Sequence, residues 1–415
     1  MTLPGMAFRY LWARRGVTLL TVISLALGTA LPCAILLLRE QSENALLREG
    51  SGVDMVVGGK GSPLQLVLSA VHHVDLPTGN IPLALYHSLR EDERVRAAVP
   101  LSLGDNFAGY RIVGTTADFF AWRPRNLEDG ASWLTLRAGR AFEEPFEVVL
   151  GADVARAHGF ALGDSFVGSH GLRPAPGTEH DEFPYVVTGI LEPSGGVVDR
   201  LILTPLESVW LVHEADEDMH RNLFGARRER PEREPEVTAV WLRLRSAGMR
   251  MWMRDEINRN TDAMAAVPVD ELHRLYQRVL KPVQQGLLWM AAAVALVSGL
   301  AILATLLQAT ERRRRDWAVL RTLGAHPREI FTLVWLESLW ISTLGVLLGI
   351  LLAHGGLSAA LHFRSPEFLT GFTPFHLAEH QNAVLLGIWV GGAFFGVIPA
   401  LFGYRRSPVE DLSRD

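Results

Sequence analysis

The sequence is nearly without cysteine. Cys33 is the one thiol among 415 residues, so no disulfide can form within the chain. Every folded region must therefore hold together by packing. A phosphate-binding loop of the form G-x-x-x-x-G-K-[ST] is also missing. The nearest stretch, Gly58-Gly59-Lys60-Gly61, has Asp54 where the first glycine belongs and Gly61 where the hydroxyl belongs. Residues Gly58–Ser62 read instead as a flexible turn. No G-x-S-x-G elbow presents an activated serine. The formal net charge of −5 offers no basic excess for nucleic acid.

Charge is also missing from four long apolar runs, and these decide the class. They are Val17–Leu38, Gly286–Leu307, Ile330–Ala353 (charged only at Glu337) and Ala383–Phe402. Each has about 20 residues or more, enough to span a hydrocarbon core about 30 Å thick as helix. The first run is longer than the ~7–15 apolar residues of a cleaved signal. Pro32 precedes Cys33, where a lipidated cysteine needs a small neighbour. The first run is therefore expected to be an uncleaved anchor.

Arginine placement orients the spans. Arg9, Arg14 and Arg15 precede the first; Arg312, Arg313, Arg314, Arg315, Arg321 and Arg328 lie between the second and third; Arg405 and Arg406 follow the fourth. Between the third and fourth there is only Arg364. Basic flanks stay on the cytoplasmic side. The expected topology has residues 1–16, 308–329 and 403–415 inside, with 39–285 and a short loop, 354–382, outside. The fold class is thus a membrane α-helical protein of four transmembrane helices. A mixed α/β extracytoplasmic domain is inserted between spans one and two.

Within that domain, Arg39–Glu49 should continue the first helix to a stop at Gly50-Ser51-Gly52. Strands are expected at Met55–Val57, Tyr110–Val113, Glu147–Leu150, Tyr185–Leu191 and Val237–Leu244. Helices are expected within Pro82–Arg94, at Ala152–His158, and at Asp270–Lys281 on the return to the membrane. Residues 221–236 form a charged, proline-broken run that reads as a solvated loop. Met6–Arg15 reads either as an amphipathic helix on the inner surface or as an ordinary basic flank.

Inside the spans, Gly345 and Gly349, Gly387 and Gly391, and Gly392 and Gly396 stand four residues apart. Such spacing lets helix backbones approach closely, within one chain or between two. Glu337 lies about ten residues into span three; it reads either as part of an ion or proton relay or as an acid paired with a neighbouring helix. Among histidines, His72-His73 with Asp75, His170 with His180 and Asp181, and His376 with His380 are weak metal candidates. The last pair requires a helix to bring its rings to one face. The first pair would point apart on a strand.

The most specific segment is Glu311–Ile330, ERRRRDWAVLRTLGAHPREI. Trp317, Val319, Leu320 and Leu323 lay an apolar stripe on a short helix that Gly324 ends and Pro327 separates from the third span. Such a stripe can dock in a groove on a partner, whereas the arginines alone suit acidic lipid. This segment resembles the coupling segment of the permeases related to the macrolide exporter, the lipoprotein-release permeases and the cell-division permease. The matching positions are Glu311, Arg312 and Arg313, then Leu320, Arg321, Leu323 and Gly324. The longer arginine run and Trp317 depart from the family pattern. Glu337, Gly345 and Gly349 match the family's third span. Pro399, Ala400, Pro408, Glu410 and Leu412 match its tail. Val148–Gly151, Gly163-Asp164 and Val186-Val187-x-Gly189 match its periplasmic core.

The resemblance implies a permease of an ABC transporter in a bacterial inner membrane, paired with a second copy and with a cytoplasmic ATPase subunit. That subunit would bind ATP and magnesium; the chain itself would carry no cofactor and no catalytic residue. Movement of the coupling helix would reach the outer domain through the long helices of spans one and two, doing work there by mechanotransmission instead of passing substrate through a central pore. A periplasmic protein partner is compatible with this. Two alternatives stay open: a non-transporting regulator of a periplasmic partner, and a membrane-anchored enzyme or metal-related component.

Overall fold

The computed structural model describes residues 3–124, 133–171, 183–223, 234–363 and 372–405. Its helices are α1 (Leu3–Ala13), α2 (Arg15–Ser51), α3 (Pro63–Ala70), α4 (Leu83–Glu91), α5 (Ala152–His158), α6 (Leu206–Leu223), α7 (Arg250–Asn260), α8 (Pro268–Leu275), α9 (Lys281–Arg312), α10 (Arg314–Thr322), α11 (Pro327–Phe363), α12 (Gln381–Phe395) and α13 (Val397–Arg405). The strands are β1 (Met55–Gly59), β2 (Ile81–Pro82), β3 (Val95–Phe107), β4 (Tyr110–Thr115), β5 (Leu136–Gly139), β6 (Glu147–Leu150), β7 (Ser165–Phe166), β8 (Ser169–His170), β9 (Tyr185–Leu191), β10 (Leu201–Pro205), β11 (Glu236–Val237), β12 (Ala239–Leu244) and β13 (Ala263–Ala266). The chain divides into a helical unit, Met1–Glu43 with Val279–Asp415, and a sheet unit, Asn44–Arg278.

The sheet unit is built on one mixed sheet, in the order β13-β1-β12-β3-β4-β10-β6-β9-β5, with β7 on β9 and β8 on β3. β10 runs parallel to β4, and β6 parallel to β9. Side chains alternate along a strand, and both faces here are covered. On β1, Val56 packs with Leu66, Val99, Leu101 and Trp241 on one face. Met55 and Val57 pack with Tyr86, Val240, Leu242 and Met253 on the other. The aromatic part of the first face joins Phe119, Trp122, Trp133 and Trp241. Buried indoles need an acceptor. Trp241 Nε1 donates to the Ala70 carbonyl at 2.9 Å and Trp122 Nε1 to the Gly52 carbonyl at 3.3 Å.

Two expectations change here, and one strand is new. Gly58 and Gly59 are strand residues, not part of a flexible turn. They pair with β12 and β13, and a side chain at Gly58 would collide with Leu66. The expected strand Val237–Leu244 is two strands. It breaks at Thr238, whose hydroxyl accepts from Leu103 N at 3.0 Å. β11 then pairs β2 while β12 joins the main sheet. The longest strand, β3, has no clear strand signature, because Pro100 and Gly104 interrupt its pattern. Its register slips between Leu103 and Asp105, around Gly104. Residues 224–233 of the charged run lie outside the described residues.

In the helical unit, α1 packs on α11, burying Ala7 and Leu11, with Phe8 edge-on to Trp340. Four helical stretches are long and apolar enough to cross a membrane: Arg15–Ala45, Pro268–Arg312, Pro327–His362 and Gln381–Tyr404. The second begins as α8 and passes through one π-helical turn, Tyr276–Leu280, before α9. The fourth is broken at Gly396 between α12 and α13. Pro399 has no N–H to give the carbonyl of Phe395, which is where the helix yields. Leu25, Ile302, Leu306 and Ile341 form the shared core of α2, α9 and α11. Ser298 Oγ donates to the Ser24 carbonyl at 2.9 Å, and Ser338 Oγ to the Gly392 carbonyl at 2.8 Å. Hydroxyls of this kind add hydrogen bonds where lipid offers none.

Candidate functional site

The segment between α9 and α11 is sharply made. α9 ends at Arg312, and Arg313, with φ −102° and ψ 16°, turns the backbone out of the helix. Its carbonyl accepts from Trp317 N at 3.1 Å, so the same residue starts α10. Gly324 has φ +101°, a conformation glycine adopts freely. Around it, Gly324 N donates to the Arg321 carbonyl and Ala325 N to the Leu320 carbonyl, which satisfies the last carbonyls of α10 in a Schellman arrangement. Pro327 then opens α11, and the Glu329 carboxylate accepts from His326 N at 2.8 Å as in a capping box.

The apolar stripe expected on α10 is divided between two faces. Trp317 is buried with Ile330, Val334 and Ala400, and Leu320 packs against that cluster. Val319 is 49% exposed and Leu323 79% exposed. One face of α10 is thus committed to α11 and α13. The other presents Arg315, Val319 and Leu323 at helical spacing. Arg314 is ion-paired with Glu311, and Arg321 is half-buried.

Arg313 departs from the rest of the arginine run. It is 7% exposed, and its Nη1 lies 2.6 Å from Oε1 of Glu337, itself 2% exposed. The Tyr10 ring covers the guanidinium, 4.2 Å from its centroid to Cζ. Of the two sequence readings of Glu337, the geometry is that of an acid paired with a neighbouring element. The run of four arginines hid this partner, because nothing in sequence distinguishes the one that turns inward.

The spaced glycines separate in the same way. A side chain at Gly345 would strike Leu25, and one at Gly349 would strike Thr29, both on α2. At Gly392 it would meet Ser342 and at Gly396 Ser338, both on α11. Gly387 and Gly391 face nothing within 4 Å. They line an apolar groove of about 480 Å³ with Leu25, Pro32, Ala291 and Ala295.

The histidine candidates that the structure describes are not brought together. Among the described residues, no three His, Cys, Asp or Glu side chains converge as a metal would need. His72 and His73 are buried, and neither ring nitrogen of His73 has a hydrogen-bond partner. Burial, and then the charge of Arg111, pushes the His73 pKa down to about 3, so the ring is neutral. His170 falls in β8, and His180 lies outside the described residues. His376 and His380 are not on a helix, so the i, i+4 pairing fails. His376 Nε2 sits instead 2.8 Å from Oε1 of Glu40.

Residues 18–249 match the family model of the MacB-like periplasmic core domain, and residues 288–408 that of the FtsX-like permease C-terminal region. The chain is 27% identical over 144 residues to the macrolide export ATP-binding/permease protein MacB of Agrobacterium fabrum, covering 34% of this chain and 21% of that protein. It is 31% identical over 126 residues to the MacB protein of Nitrobacter winogradskyi, covering 30% and 18% respectively. The matched part is thus about a fifth of these relatives. The crystal structure of the periplasmic region of MacB from Actinobacillus actinomycetemcomitans aligns over 55% of this chain and 94% of its own, at 12% identity and a TM-score of 0.33. The core-domain model alone takes in more than half of the sequence, and the chain belongs to the ABC transporter permeases that join a MacB-like periplasmic core domain to an FtsX-like permease C-terminal region.

Proposed function

We propose that this permease couples ATP hydrolysis by a separate cytoplasmic ATPase subunit to movement of its extracytoplasmic domain, for export or release of a substrate. The observation that carries the reading is the divided face of α10. A short helix is capped at its end and anchored by Trp317, yet it leaves Val319 and Leu323 exposed on the same face as Arg315. An apolar pair ringed by charge suits a protein groove better than acidic lipid alone. The arginine placement supports a cytoplasmic position for this helix. The phosphate loop that ATP hydrolysis needs is not among these residues, which is compatible with a partner ATPase. Two permease copies would pair with two ATPase subunits, and α2 and α9 would carry motion to the sheet unit.

The test is co-expression with a candidate ATPase, comparing Leu323→Asp and Val319→Asp with the parent. Both side chains are exposed, so folding should change by only about 0.5 kcal/mol. If either is a docking anchor, binding should weaken by about 2 kcal/mol, or roughly 30-fold. ATPase stimulation should fall with it. Unchanged co-purification and stimulation in both variants would remove the reading. Leu320→Asp is the contrast: it should unfold the underside of α10 instead.

A further inference from the structure

The segment Arg312–Arg315 places four guanidinium groups at the joint between α9 and α10, and one of them turns inward. Arg313 ends one helix and begins the next. Its side chain meets α11 through Glu337 at 2.6 Å and α1 through the Tyr10 ring at 4.2 Å. Burying two charges is expensive, and a pair of apolar side chains could fill the space with less penalty. An ion pair differs from an apolar contact in being directional. A guanidinium and a carboxylate at this distance allow one arrangement, whereas apolar surfaces can slide.

The surroundings of Glu337 make that direction matter. One turn earlier on α11, Val334 packs under Trp317 of α10. The next residue, Ser338, donates to the Gly392 carbonyl of α12 at 2.8 Å. Four residues further on, Ser342 faces Gly392. The same short stretch of α11 therefore holds α10 from below, the α9–α10 joint at Glu337, and α12 on its far side. Arg14, in the turn between α1 and α2, lies within electrostatic range of both Arg313 and Glu337.

We propose that Arg313 and Glu337 are positioning residues: their buried ion pair, roofed by Tyr10, fixes the joint between α9 and α10 to α11, so that displacement of α10 moves α9 and α11 together instead of flexing the joint. This rests on the reading of α10 as the helix an ATPase engages. The pair accounts for an acid deep in the third span by mechanics.

The test uses the full chain with spin labels at Val319→Cys on α10 and Trp12→Cys on α1, both exposed positions. The distance distribution is read by pulsed electron paramagnetic resonance on the permease alone. Glu337→Gln and Arg313→Gln should broaden it, and the exchanged pair Arg313→Glu with Glu337→Arg should narrow it again. Tyr10→Phe, which keeps the ring, should leave it unchanged. In the assembled complex, the single variants should retain the ATPase but lose about 5-fold or more of its stimulation. Glu337→Asp, a smaller perturbation that keeps the charge, should fall between parent and Glu337→Gln in both readouts. Single variants with the parental distribution, or an exchanged pair no narrower than the singles, would overturn the proposal. Intact binding by Leu323→Asp and Val319→Asp would instead remove the docking reading, and the distances would still decide the role of the pair.

Discussion

Acid should unfold the sheet unit through one histidine. His73 is 6% exposed, neither of its ring nitrogens is hydrogen-bonded, and its pKa is lowered from 6.5 to about 3, chiefly by burial. The native state therefore refuses a proton that the unfolded chain accepts below about pH 6.5. Stability from this group is complete above that pH, is lost as pH falls towards 3, and changes no further below it. Linkage gives a loss of about 2 kcal/mol between pH 7 and pH 5. At an m-value of about 1–3 kcal/mol per molar of urea, the midpoint should drop by roughly 1 M. Urea acts on the sheet unit while apolar spans stay in a detergent micelle. Glu147, lowered to about 2 by its Arg140 partner, loses its contribution only as pH falls below its ordinary 4.5. The window from pH 7 to 5 thus lies above the titration of Glu147. His73 has φ +54°, which asparagine tolerates, so His73→Asn keeps the backbone and removes the titration. The parent midpoint should fall by about 1 M more than that of His73→Asn over this window. Equal pH dependence in the two proteins would refute the reasoning.

Two further predictions concern glycine. Gly396→Val places a side chain against Ser338 and should cost about 1–3 kcal/mol, seen as a lower thermal midpoint of the solubilised protein; Gly391→Val meets nothing and should leave that midpoint unchanged. Gly324→Ala forces an L side chain to φ +101° and should cost about 1–2 kcal/mol at the end of α10; a thermal midpoint and ATPase stimulation equal to the parent would contradict that.

The membrane architecture is visible in sequence because lipid forces a simple signal: long uncharged runs and basic flanks. The sheet unit is less legible, for reasons that lie in particular residues. Met55–Val57 and Glu147–Leu150 read as strands because branched residues crowd a short run. β3 does not, since Pro100 and Gly104 imitate a chain break. Gly58 and Gly59 look like a turn until Leu66 is seen to need the space above them. At the candidate site, the helix and its glycine stop follow from local spacing. Which side of α10 is covered depends on Ile330, Val334 and Ala400, and on the angle at Arg313, none of which spacing alone provides. The ion pair joins residues 24 apart in the chain, and the glycine seams join separate spans.

The solitary thiol has a practical side. Cys33 is 0% exposed, packed inside the helical unit where neither water nor lipid touches it. A maleimide or methanethiosulfonate reagent should pass the folded protein by, while a cysteine placed on an exposed position such as Val319 or Leu323 should react at once. The native chain can therefore serve as its own reporter background. Any labelling of Cys33 during turnover would itself mark a moment when the first span separates from its neighbours.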